Sequence, residues 1–268
     1  VVQSEKGGVA AKVAALNRQP EVVYAELNYA AQGGDLIPTD PDYNDSSKVY
    51  GPQFINAPAA WSTTVGSPSM IVAVVDTGVS LNHPDLVGRL VPGYDFVNSD
   101  ADPADDNGHG TNVTGIVVAT MNNGIGTVGI APGARVMPVK VLDATNTGWW
   151  SNISAGMIYA VDNGARVLNL SLGGTTGSTT MLNAVRYATD RGVVVVVAAG
   201  NQNSGLAFYP AYYPETIAVA GTDYTDVRWT LSNYGSHIDV SAPASLVYNT
   251  YWRLADGNTY EFLSGTSM

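Results

Sequence analysis

Met70-Ile71-Val72-Ala73-Val74-Val75-Asp76-Thr77-Gly78 is an unbroken apolar run that ends on a carboxylate and a glycine. It lacks the alternation of a strand with one wet face, so it predicts a parallel strand covered on both sides. Ala134 to Leu142, Val167 to Leu172, Val193 to Ala199 and Thr216 to Ala220 read the same way. Between these runs, helical spacing marks His109 to Asn122, Ser151 to Asn163 with Ser151 as N-cap, and Thr179 to Arg191 closed by Gly192. This alternation predicts an α/β fold, a doubly wound, mostly parallel sheet with helices on both faces. In such sheets, sites form beyond the carboxyl ends of the strands. Asp76 and Asn201 each follow a strand, and His109 and Ser267 are each expected to open a helix.

The 268-residue chain is long enough for one large α/β domain with an appendage. Its 45% hydrophobic residues and 29 glycines suit a compact, loop-rich enzyme. A net charge of −11 argues against nucleic acid, whose phosphates need Lys and Arg clusters, and fits a soluble secreted protein or one that binds cations. With no cysteine there is neither a disulfide framework nor a thiolate metal site. No apolar run reaches the roughly 20 residues of a membrane span, so no membrane partner is expected. The chain begins at Val1 without a signal-peptide pattern, and both ends read as cut from a longer precursor. Residues 1–34 differ from the rest: a helix over Ala10 to Leu16, a strand over Glu21 to Leu27, and a flexible Ala31-Gln32-Gly33-Gly34 linker. No strand is followed by Gly-x-Gly-x-x-Gly or a Walker loop, which excludes a nucleotide-binding reading.

Ser264-Gly265-Thr266-Ser267-Met268 has the composition of a nucleophile turn. A serine nucleophile needs a base, an orienting acid and an oxyanion site. Gly108-His109-Gly110-Thr111 offers the base, Asp76 the acid, and Ala199-Gly200-Asn201 an amide donor. The glycines around His109 allow other backbone to approach the imidazole closely. Asp-Thr-Gly also marks aspartic proteases, but these need a second such turn, and no other Asp-Thr-Gly or Asp-Ser-Gly occurs. His83 and His237, the remaining histidines, read as surface or structural residues.

In the order Asp, His, Asn, Ser these blocks resemble the subtilisin-like serine proteases, nearest to thermitase-like members, from about Asp35 to Met268. Asp40-Pro41, Tyr50-Gly51-Pro52-Gln53, Asn82-His83-Pro84-Asp85-Leu86, Ser171-Leu172-Gly173-Gly174 and Tyr209-Pro210-Ala211 belong to the same resemblance. It implies a secreted, monomeric endopeptidase that acts on polypeptides with a Ser267-His109-Asp76 triad, an Asn201 oxyanion donor, structural calcium and no organic cofactor. It also implies a substrate held as an added strand between Asn146-Thr147-Gly148 and Ser171-Leu172-Gly173. Leu142, Trp150 and Ile153 would line an apolar pocket upstream of the scissile bond, with core packing as the alternative for Trp150. Gly173 and Ala198-Ala199-Gly200 would wall the primary pocket. The family usually reads Gly-His-Gly-Thr-His-Val-Ala-Gly, whereas this chain has Asn112 and Thr114 within Gly108 to Gly115.

Residues 1–34 resemble the tail of a propeptide, an intramolecular inhibitor, with maturation between Tyr29 and Asp35. An ordinary N-terminal arm is the alternative. On the same resemblance a buried helix follows the nucleophile, so a catalytic domain of residues 35–268 that stops at Met268 is expected to have little or no activity. A non-catalytic relative serving binding or display is the alternative function.

Asp95, Asn98, Asp100, Asp102, Asp105 and Asp106 crowd the stretch before His109, a supply of hard oxygen ligands that suits Ca²⁺ without the spacing of an EF-hand. The resemblance implies a site here using Asp95, Asp100 and the Asp102 carbonyl; a solvated acidic loop is the alternative. It implies a second site with Asp40, Asp85 and Asn123 as side-chain ligands, completed by carbonyls of Thr120, Ile125 and Thr127.

Overall fold

The run at residues 71–76, four of whose six residues are β-branched, forms the strand about which the sheet is organised. The structure is a computed structural model that describes residues 9–25 and 35–268. The chain divides into two units, Val1–Gly34 and Asp35–Met268. In the first, helix α1 spans Val9–Leu16 as the spacing predicts. The strand expected over 21–27 is not formed in its described part, where residues 21–25 take turns and irregular backbone. Asn17 accounts for this by using both ends of its amide on Ala25, donating to its carbonyl at 2.7 Å and accepting from its N–H at 2.5 Å. Glu26, Leu27 and the expected linker lie outside the described residues.

The second unit opens with two short helices, α2 (Gly51–Phe54) and α3 (Ala57–Trp61), each with a proline in its first turn. There follow β1 (Ile71–Asp76), β2 (Tyr94–Asp95), α4 (His109–Val118), β3 (Arg135–Lys140), α5 (Trp150–Asp162), β4 (Val167–Leu170), α6 (Thr179–Thr189), β5 (Val194–Ala198), β6 (Ile217–Thr222), β7 (Val240–Pro243), β8 (Val247–Arg253) and β9 (Gly257–Leu263). Strands β1 to β7 make one parallel sheet in the order β2-β3-β1-β4-β5-β6-β7. The chain runs to one side of β1 for β3 and to the other for β4, so the order reverses at β1 and Asp76 ends the strand at that switch point.

Both faces of the sheet are covered, which is why the strands carry no alternation. Ala73 and Val75 pack with Ile153 and Met157 of α5 and Met181 and Val185 of α6. Val72 and Val74 point the other way, onto Val113 and Val118 of α4.

Several boundaries differ from expectation for local reasons. Helix α4 ends at Val118 rather than Asn122 because Asp40 captures the N–H groups of Asn122 and Asn123, at 2.7 and 2.9 Å, with Asn122 left-handed at φ 61°. Ser151 is not the N-cap of α5; the helix starts at Trp150 after an extended Trp149. Ser178 caps α6, and the left-handed Gly192 (φ 73°) follows its end. Ser267 lies in a turn. The antiparallel β8–β9 hairpin was not foreseen.

Candidate active site

Asp76 is wholly buried at the end of β1. Its Oδ1 accepts the Thr77 N–H at 2.7 Å and lies 2.7 Å from Nδ1 of His109, the first residue of α4. Gly110 makes this approach possible: a Cβ there would sit 2.1 Å from the Gly78 carbonyl oxygen and 3.1 Å from Asp76 Oδ1. Burial pushes the His109 pKa down, but the charge of Asp76, its hydrogen bond and the charge of Asp105 more than offset this, leaving it raised above the usual histidine value.

Asp105 takes a place that the sequence reading did not give it. Instead of joining a metal cluster, its Oδ1 accepts from Thr77 Oγ1 and from the N–H groups of Asn107 and Gly108. Its Oδ2 accepts from the N–H and hydroxyl of Thr111. One carboxylate thus ties the loop after β1 to the start of α4. Beneath it, the ammonium of Lys140, buried to 1% exposure, donates to the carbonyls of Thr77 (2.7 Å) and Leu142 (2.9 Å) and to Asp106 Oδ1 (2.6 Å). A lysine within an apolar strand gave no sequence signal of this role.

His109 opens onto a cleft of about 760 Å³ that Asn201 and Ser267 also line. Asn201 Oδ1 accepts from the N–H and the hydroxyl of Thr266, both at 2.9 Å. That commits the amide oxygen and leaves Nδ2 on the side of Gly265, where a Cβ would lie 3.2 Å from it. Ser267 Oγ donates to the Ser171 carbonyl at 3.2 Å, and Ser171 Oγ donates to the Ser267 carbonyl at 2.7 Å.

The cleft brings together most of the expected substrate-binding residues: Asn146, Thr147 and Gly148; Ser171, Leu172 and Gly173; and Leu142, Trp150 and Ile153. Trp150 lines the cleft and also packs against the main core. Ala198 and Gly200 line the cleft, but Ala199 does not. It is fully buried, with its N–H donating to Val219 and its carbonyl accepting from Asn233. Lining residues that the sequence reading missed include Trp149, 78% exposed beside the cleft, Thr175, Thr176, Gln202 and Phe208.

Among the described residues no group of three His, Asp or Glu side chains gathers as a metal site. Asp40 and Asp85 nevertheless fit a cation. Both are wholly buried, and neither has an ion-pair partner among the described residues. Asn123 bridges them, its N–H donating to Asp40 (2.9 Å) and its Nδ2 to Asp85 (2.7 Å). Thr120 and Thr127 also donate N–H groups to Asp85, and Ile125 donates to the Asn123 side chain. Burial raises the Asp85 pKa to about 6, against the hydrogen bonds from Asn123, Thr127, Tyr260 and Thr120. The Asp95, Asp100 and Asp102 set is likewise hydrogen-bonded within its own loop, and of its three side chains only Asp95 is buried. Asp95 spends both oxygens on Val97 and Asn98, Asp100 accepts from the Asp102 N–H, and the backbones of Asp95 and Asp100 pair with each other. His83 is structural: buried, it accepts the Asp85 N–H and meets the Thr259 carbonyl at 3.0 Å.

A family model described as the subtilase family matches residues 67–268. Thermitase of Thermoactinomyces vulgaris is 50% identical over 231 residues, 86% of this chain and 80% of that protein. A thermophilic serine proteinase of Bacillus sp. (strain AK1) is 46% identical over 262 residues, 98% of this chain and 64% of that protein. Among solved structures, a protease from Pseudoalteromonas arctica PAMC 21717 superposes with a TM-score of 0.78 at 34% identity, covering 86% of this chain and 83% of that one. The chain therefore belongs to the subtilase family of serine endopeptidases.

Proposed function

We propose that this protein hydrolyses peptide bonds with Ser267 as nucleophile, His109 as base, Asp76 as the acid that orients it, and Asn201 as oxyanion donor. The observation that carries the reading is the 2.7 Å contact of His109 with buried Asp76, at a cleft that Asn201 and Ser267 share. Ser267 Oγ leaves the Ser171 carbonyl and turns to the imidazole, which takes its proton as the Oγ–carbon bond forms. The carbonyl electron pair moves onto oxygen, where Asn201 Nδ2 meets it. Collapse of this intermediate breaks the carbon–nitrogen bond, and the amine leaves with the proton held by His109. Water then repeats both steps on the acyl-enzyme and frees the acid. Asp76 fixes the imidazole tautomer by accepting a hydrogen bond from the Nδ1–H.

The substrate is read as an extended chain between residues 146–148 and 171–173, using the backbone of both walls. Calcium is assigned a structural role at Asp40, Asp85 and Asn123, with carbonyls of Thr120, Ile125 and Thr127; it would neutralise two buried carboxylates. The division at Asp35 supports reading residues 1–34 as a self-inhibitory segment, and a chain without cysteine is compatible with action outside the cell.

The test is labelling by a serine-directed fluorophosphonate, together with hydrolysis of an unstructured protein. Labelling at Ser267, lost in Ser267→Ala and in His109→Ala, is expected. Labelling that persists in Ser267→Ala overturns the assignment.

A further inference from the structure

The first turn of α4 carries His109, and β8 lies directly against it. Thr250, at the middle of β8 and wholly buried, donates its hydroxyl to the Thr111 carbonyl at 2.8 Å. Asn112 Nδ2 donates back to the Thr250 carbonyl at 3.0 Å. On the other side of His109, the Tyr251 hydroxyl donates to the Asn107 carbonyl at 3.3 Å. Two glycines make the contact possible. A Cβ on Gly115 would lie 2.0 Å from Thr250 Oγ1, and one on Gly108 would lie 2.3 Å from the Trp252 carbonyl oxygen. Polar contacts therefore bracket the histidine from Asn107 to Asn112, all supplied by one strand.

The same hairpin leads into the serine turn. Strand β9 ends at Leu263, and the next residues are fixed at once: Ser264 Oγ accepts the Leu246 N–H at 2.8 Å, and the Gly265 N–H donates to the Ala244 carbonyl at 2.8 Å. Residues 244 and 246 stand just before β8, so the base of the hairpin is pinned to the segment that carries Ser267.

We propose that the β8–β9 hairpin is a positioning device that sets the His109 helix against the Ser267 turn, with Thr250 as its central positioning residue. Thr250 touches no reacting atom and acts through the Thr111 carbonyl. A helix end that carries a base must be held within about 0.5 Å of its working place, and a displacement of about 1 Å can cost 10²-fold in rate. The sheet fixes Asp76 and Asn201, but nothing in β1 to β7 hydrogen-bonds the outer side of the first turn of α4. The hairpin fills that gap with contacts from β8, whose paired strand β9 continues to the nucleophile turn.

This inference rests on the triad reading, and its test separates the two. Thr250→Val keeps shape and burial but removes the donor, and Thr250→Ser returns it. The Nδ1 proton of His109 and its titration are followed by NMR in the full chain carrying Ser267→Ala, alongside turnover with Ser267 intact. In Thr250→Val the Nδ1 proton signal is expected to broaden and the His109 pKa to fall toward the ordinary value as the Asp76 contact loosens. kcat is expected to drop about 10- to 100-fold with KM little changed, and Thr250→Ser is expected to restore both. The groups whose charge faces the imidazole, Asp76 and Asp105, are unaltered. An unchanged Nδ1 signal and pKa, with only the melting temperature lowered, overturns the proposal. Should Thr250→Val fail to fold, Tyr251→Phe at the partly exposed rim carries the same readouts, and no change in either overturns it. The NMR arm needs no turnover, so loss of the triad reading through Ser267→Ala labelling leaves it interpretable.

Discussion

Two opposed effects act on the His109 imidazole. Burial lowers its pKa, while the charge and hydrogen bond of Asp76 and the charge of Asp105 raise it further, so the net shift is upward. On the proposed mechanism only the neutral ring can take the serine proton. kcat/KM therefore falls as pH drops through this pKa, and the fall is centred above the ordinary histidine value of 6.5. Asp76→Asn keeps the size but removes the charge and offers the wrong hydrogen-bonding partner. The expected outcome is a loss of about 10⁴ in kcat, a magnitude borrowed from other triad proteases, with the acid limb of the residual activity moved to lower pH. A pH profile of kcat/KM checks both; an acid limb that stays in place means that Asp76 does not set the histidine pKa.

At the scale of elements, the same carboxylate turn depends on β3. Lys140 pairs in register with Asp76, yet its ammonium reaches past the strand end to two carbonyls and Asp106. Lys140→Met fills the volume but leaves the Thr77 and Leu142 carbonyls without their donor. The expected cost is about 2–3 kcal/mol, read from urea denaturation, because two buried carbonyls lose their donor while the half-exposed Asp106 returns to water. A loss under about 1 kcal/mol would mean that water replaces the ammonium.

This network shows which parts were legible in the sequence. The strands buried on both faces announced themselves as apolar runs, and residues at their ends, Asp76 and Asn201, fell where a parallel sheet puts them. The β8–β9 hairpin did not announce itself. Asn249 and Thr250, adjacent in β8 and facing opposite ways, are both buried, so the strand has neither an apolar run nor an alternating pattern. Strand β7 escaped for a related reason: Val240-Ser241-Ala242-Pro243 is a short edge strand with two exposed residues at its start, and it tolerates its proline at the edge. Ala199 was misplaced because a motif gives order along the chain and not the side of the strand.

For the molecule as a whole, a net charge of −11 suggested cations without saying where they would sit. The most conspicuous acidic stretch runs from Asp95 to Asp106. Its buried carboxylates, Asp95 and Asp105, are spent on N–H and hydroxyl donors, and Asp106 on Lys140. The less conspicuous pair, Asp40 and Asp85, lies 45 positions apart in sequence but meets at one loop, each fully buried and without a cationic partner among the described residues. Two buried negative charges on a common loop oppose folding unless a counter-charge joins them. A divalent ion bound there at about 100 times its Kd would stabilise the fold by roughly 2.7 kcal/mol, or about 5–10 °C in melting temperature for a chain of this size. The expected result is a melting temperature that rises by that amount between excess chelator and millimolar calcium. In Asp85→Asn most of the calcium dependence should vanish, whereas in Asp100→Asn it should remain. Equal melting in calcium and chelator would remove the ion from this account, and a loss of dependence in Asp100→Asn instead would move it to the loop before His109.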